Sequence, residues 1–213
     1  MSTSKKESGT TGQTTKKSGK GSSHGVISEV SAYMTIKPGH EEQARAGALR
    51  FGEMLKHSNW EDVQKTGLRD ARLVVFDNGR RLMFASGFET DFDPYVDDAI
   101  EVVGIQHFLH WLEHTEEAEE LVALVKSLAK GLDENDPAFA ERVKPAGATL
   151  KAVIQKIQSP ATTYFNALSD LTMPQIKKAQ RLQEAFQKVL DDPDAEKALQ
   201  HPALKPLLEQ AAD

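Results

Sequence analysis

ARLVVFDNGRRLMFASGFE, residues 71–89, decides the fold. Two runs rich in β-branched and aromatic residues flank Asp77-Asn78-Gly79. Asn and Gly both tolerate positive φ, so Asn78-Gly79 predicts a tight hairpin between strands at residues 71–77 and 80–89. Upstream, VISEVSAYMTI (residues 26–36) alternates apolar with polar or small side chains and predicts another strand. Lys-Pro-Gly-His (residues 37–40) breaks it. Glu41 and Glu42 then suit a first helical turn, and Ala44, Ala48, Phe51, Met54 and Leu55 follow at helical spacing as far as residues 57–60. A loop or short helical turn over residues 61–67 leads into the hairpin.

Downstream, TDFDPYVDDAIEVV (residues 90–103) predicts a second helix with Phe92, Tyr95, Val96, Ile100 and Val103 on one face. The order so far lacks one strand of a ferredoxin-like βαββαβ unit. The next stretch does not supply it, because residues 105–130 and 138–157 read as helix, the latter broken at Pro145 and Gly147. SPATTYFNAL, residues 159–168, is assigned as the missing strand, followed by a helix from Thr172-Met173-Pro174 and short helical pieces over residues 191–213. The expected fold is therefore α+β: a ferredoxin-like core with an antiparallel sheet, a helical insertion before the last strand, and a C-terminal helix. The boundaries are a disordered Lys/Ser/Thr/Gly tail at 1–24, a core at 25–103, an insertion at 104–158, and the last strand with C-terminal helices at 159–213.

Composition narrows the chemistry. Of 213 residues 27% are charged and none is cysteine, which excludes disulfides, thiol catalysis, iron–sulfur clusters and cysteine zinc sites. Residues 1–24 hold five lysines and one glutamate, while the whole chain is at −6, leaving an acidic body near −10. Such a body argues against nucleic-acid binding. No apolar run approaches about 18 residues, so no transmembrane segment is expected; the tail lacks the apolar stretch of a secretory signal, and a cytoplasmic location is expected. No glycine-rich phosphate loop is present.

YMTIKPGHEEQAR, RLVVFDNGRRLMFASGF and DFDPYVDDAI together resemble the dimeric α+β barrel superfamily, over about 80 residues. The resemblance implies a homodimer joined through sheet faces and a pocket between sheet and helices. It spans cofactor-free monooxygenases, haem-degrading and haem-peroxidase relatives, and members without known activity, so fold alone does not choose a reaction. Asn59 and Trp60 do not fall at the positions where monooxygenase-like members carry their Asn and Trp, and no catalytic role is transferred to them. The function implied is a small accessory or ligand-binding protein with an apolar pocket. The alternatives are a haem-dependent or cofactor-free oxidoreductase and a scaffolding protein acting through its helical insertion.

His110-Trp111-Leu112-Glu113-His114 matches an H-x-x-E-H zinc-peptidase pattern, with His107 one turn earlier. On a helix the three histidines lie within roughly 60° of each other, beside the apolar arc of Ile105, Phe108, Leu109 and Leu112, with Trp111 between. His107, His110, Trp111 and His114 are therefore candidates for a ligand or haem pocket, and His110 with His114 for weak metal binding, Glu184 being one conceivable third ligand. The plainer reading is a polar flank packed around Trp111. Arg72 and Arg81, flanking the hairpin, are candidates for an anionic ligand; such residues also protect sheet edges. Asp93 and Asp97 are one turn apart, as a hard cation needs, but acids in a first turn also serve the helix dipole. Tyr33, Met34, Phe76, Met83, Phe84 and Phe88 alternate between the two sheet faces, and the face turned from the helices needs a cover: a second subunit or the inserted helices.

Overall fold

The computed structural model describes residues 19–211. The described residues divide into two compact units, one ending at Ser169 and one beginning at Asp170. The first holds a four-stranded antiparallel sheet: β1 (Ser23–His24), β2 (Ile27–Thr35), β3 (Leu68–Phe76) and β4 (Arg81–Phe88), in the spatial order β1-β2-β4-β3. The β3–β4 hairpin turns at Asp77, Asn78 and Gly79, all at positive φ (52°, 54° and 87°), as the Asn-Gly signal requires. Register places Met34, Leu82 and Val75 side by side, and beside them Ala32, Phe84 and Leu73. That face is buried.

Helices α1 (Glu41–His57), α2 (Trp60–Lys65) and α3 (Phe92–Val103) cover it, with α4 (Ile105–Leu112), α5 (Glu119–Ala129), α6 (Pro137–Val143) and α7 (Gly147–Ile157). All contribute to one continuous core with Val30, Ala32, Met34, Leu82 and Phe84 except α2, whose Val63 is buried separately. Trp111 of α4 is fully buried and stacks on Phe84 at 5.5 Å. Tyr95 of α3 stacks on Phe88 at 4.1 Å and shares a 2.7 Å hydrogen bond with Ser86; burial pushes its hydroxyl up to about 12. The inserted helices thus widen the layer that α1 and α3 begin. They leave Tyr33, Val74 and Phe76 exposed on the opposite face.

Three expectations are corrected. Residues 159–168 form no strand. Pro160 has no N–H to donate, and the β2 edge beside it is already occupied at one end by β1. The segment contributes only a bridge between Gln158 and Ala32 and a 2.8 Å bond from the Ser159 N–H to the Ser31 carbonyl, so it does not complete a βαββαβ order. Residues 19–24, expected within a disordered tail, instead pair with the body: Ser23 and His24 bond to Ser28 and Ile27, and the Lys20 N–H donates to Gln158 at 2.7 Å. The rest of that expected tail lies outside the described residues. Finally, the helical run over residues 105–130 is broken. α4 stops at Leu112 because Thr115 turns extended and bridges Ile36, and the Glu117 carboxylate accepts the Thr35 N–H at 3.0 Å.

The second unit contains α8 (Met173–Leu190), α9 (Glu196–Leu199) and α10 (Lys205–Ala211) with short 3-10 turns; none of these elements carries a buried residue. Among the described residues no helix is long and apolar enough to cross a membrane.

Candidate functional site

α1 approaches α4 very closely on one flank and stands away from the edge strand β3 on the other. The close flank is set by Gly47: a Cβ there would lie 1.7 Å from the His110 carbonyl oxygen. The open flank is a groove of about 410 Å³ between α1 and β3. Its walls are apolar, from Ala48, Leu49, Phe51 and Leu55 of α1 to Leu73 and Val75 of β3, with Phe84 at its base. Gly52 also lines it, and a Cβ at Gly52 would meet nothing within 4 Å. An interior void of about 20 Å³ adjoins it through Phe51, Leu55 and Phe84. The rim is cationic: Arg45, Lys56 and Arg72, with Glu53 the one carboxylate. Glu53 is held 2.7 Å from Lys56, whose ammonium pulls its carboxyl below the usual range. Arg45 and Arg72 make no ion pair with a described residue.

The two arginines expected to act on anions both belong to the sheet face turned away from the helices, by the alternation that places Arg72 with Val74 and Phe76 and pairs Arg81 with Phe76. Arg72, on the edge strand, also lines the groove. Arg81 donates its Nε–H to the Met34 carbonyl at 3.2 Å and lies 6.0 Å over the Phe76 ring.

The histidines lie on the other side of α1 from the groove and do not line it. His110 is only 8% exposed, deeper than the helical projection places it, because the loop between α5 and α6 closes over it. Its Nε2 is 3.2 Å from the Glu134 carboxylate, which also receives Arg50 Nη1 at 3.2 Å. His107 packs edge-on against His110 at 5.3 Å; burial and then the His110 charge hold it below the ordinary histidine value. Gln106 Oε1, His107 Nδ1, His110 Nδ1 and Trp111 Nε1 are all buried without a partner. Clefts of about 390 and 530 Å³ flank the His110–Glu134 pair. His114 lies beyond the end of α4 and turns elsewhere, sharing a 3.2 Å contact between its Nδ1 and that of His40. Burial is also what lowers its pKa. The H-x-x-E-H residues therefore do not converge: Glu113 is exposed and 3.7 Å from His114, which has turned away from His110. Glu184 belongs to α8. Among the described residues no three His, Asp or Glu side chains are arranged to hold a metal ion. Asp93 and Asp97 both face Lys151, at 3.4 and 2.8 Å, as ion-pair partners of α7.

The sequence implied an apolar pocket between sheet and helices and offered Arg72, but the other residues lining this groove were not read from it. The groove's signal was Gly52, a mid-helix glycine that costs helix stability and gains nothing from close packing. A second polar group was also missed, on the outer sheet face. Glu29, Gly87 and Asp70 lie in register across β2, β4 and β3. Glu29 is buried, accepting from Ser22 and Ser31 at 2.8 and 2.9 Å. The Tyr164 hydroxyl closes over Gly87, and burial raises its pKa. Nearby, Arg69 and Glu89 form a buried ion pair. Compared with family models, curated proteins and solved structures, the chain matches none of them.

Proposed function

We propose that the protein is a binding module for a small amphiphile, whose apolar body lies in the α1–β3 groove and whose anionic head meets Arg45 and Arg72. The groove itself carries this reading: an apolar trough of about 410 Å³, within the size range of small-molecule sites, lined at its edge by Arg45 and, from the edge strand, Arg72, neither ion-paired to a described residue. Guanidinium is suited to carboxylate or phosphate because its donors form a planar fork. No histidine lines the groove, so binding is favoured over the oxidoreductase alternative. The test is titration with a fluorescent long-chain carboxylate and, in parallel, its uncharged methyl ester. The carboxylate binds more tightly by roughly tenfold, and Arg45→Gln with Arg72→Gln removes that preference. Equal affinity for acid and ester, or no binding of either, contradicts the proposal.

A ferredoxin-like, sheet-to-sheet dimer is proposed as the assembly. Tyr33, Val74 and Phe76 are each more than a third exposed on one sheet face, with Tyr33 and Phe76 edge-on at 6.5 Å, and a contiguous aromatic patch of this kind favours a cover.

A further inference from the structure

Helix α8, MPQIKKAQRLQEAFQKVL, is long, regular and buries none of its residues. Its start is held locally: Thr172 and Gln175 form a capping box, the Thr172 N–H donating to Gln175 Oε1 at 2.7 Å, and Pro174 lies in the first turn. At 100° per residue, Leu182, Phe186, Ala179, Val189 and Leu190 share an arc of about 100°. Leu182 is 67% exposed and Val189 is 42% exposed. Lys177, Arg181 and Lys188 cluster on the opposite side, and Lys178 lies at the margin of the apolar arc, beside Val189. Against the single Glu184 these four leave the helix at +3, in a chain whose net charge is −6. Gln180 occupies Glu184 at 3.1 Å, and none of the four cations is ion-paired to a described residue.

We infer that α8 is a docking surface for an anionic lipid membrane. On the apolar face Leu182 and Val189 are exposed and Phe186 and Leu190 half-buried; a helix with such a face, a lysine- and arginine-rich opposite face and low mean hydropathy settles in the plane of the interface. There its apolar arc enters the acyl boundary, and its cations lie within a Debye length of the charged headgroups. Lys178, at the margin, extends its aliphatic stem along the apolar surface and its ammonium to the phosphates. Charge complementarity points to this occupant: α8 carries +3, and an anionic bilayer supplies the opposite sign.

The test uses the full chain in flotation with phosphatidylcholine vesicles and with vesicles of roughly three parts phosphatidylcholine to one part phosphatidylserine. The protein floats with the serine-containing vesicles only. Leu182→Glu weakens binding by at least about tenfold, and Lys188→Gln by roughly fivefold. Raised salt weakens it further. Both substituted side chains are exposed, so unchanged circular dichroism and melting identify the loss as a surface effect. Failure to float, equal flotation with both vesicles, full binding by Leu182→Glu, or Leu182→Glu instead dissociating a dimer in sedimentation overturns the inference. None of these outcomes depends on whether the groove binds a ligand.

Discussion

Two glycines five residues apart on α1 show how position decides the effect of one methyl group. At Gly47 the helix has been brought onto the α4 backbone, and a Cβ would collide with the His110 carbonyl. Gly47→Ala is expected to lower stability by roughly 2 kcal/mol or more, read from the urea midpoint. At Gly52 a Cβ finds open groove, so Gly52→Ala should raise stability by about 0.5–1 kcal/mol through the helix alone. Opposite signs at these positions would support the asymmetric seating of α1; the same sign would contradict it. The histidines make a pH prediction. His107 and His114 are both held below the ordinary histidine value of 6.5, with burial the largest cause, so the folded state favours their neutral forms. Their stabilising contribution is complete above 6.5, the value at which the unfolded chain takes up protons first, and is lost progressively as pH falls from that value through the lowered folded-state value. His107→Gln should flatten the fall in melting temperature below that pH. An undiminished slope would place the titration elsewhere.

The elements set by local chemistry were legible. Asn78-Gly79 fixed the hairpin, Glu41-Glu42 with apolar residues at helical spacing gave α1, and Thr172-Met173-Pro174 began α8. What the sequence hid depends on partners far along the chain. Residues 112–117 contain no glycine or proline, and α4 ends because Thr115 and Glu117 are drawn to Ile36 and Thr35 of the sheet. The strand expected at residues 159–168 yielded because β1, itself hidden in a lysine- and serine-rich stretch, occupies part of the β2 edge. The burial of His110 was equally invisible, since a loop 24 residues later covers it. That loop supplies an element-scale prediction. Glu134→Gln weakens the Arg50–Glu134–His110 chain, and because Glu134 is partly exposed the cost should be only about 0.5–1 kcal/mol. Amide exchange over residues 130–136 should nevertheless accelerate; unchanged exchange would show that the loop is held by its apolar contacts alone.

At the scale of the first unit, one helical layer covers one face of the sheet, and the opposite face is only partly closed, at the end near Tyr164. Were a second copy to complete the cover, sedimentation at micromolar concentration would give about twice 23.5 kDa, and Val74→Lys would return the mass to the single-chain value. A single-chain mass for the unaltered protein would contradict the dimer and leave the groove untouched, because the groove lies on the helical side. The central claim is that this groove holds the apolar part of a ligand, and Gly52→Leu addresses it most directly. Its side chain has room to enter the groove without displacing the fold. Titrating both proteins with the fluorescent long-chain carboxylate should show binding by the unaltered chain and a loss of at least about tenfold in Gly52→Leu, with no fall in melting temperature. Equal binding by the two proteins would contradict the account.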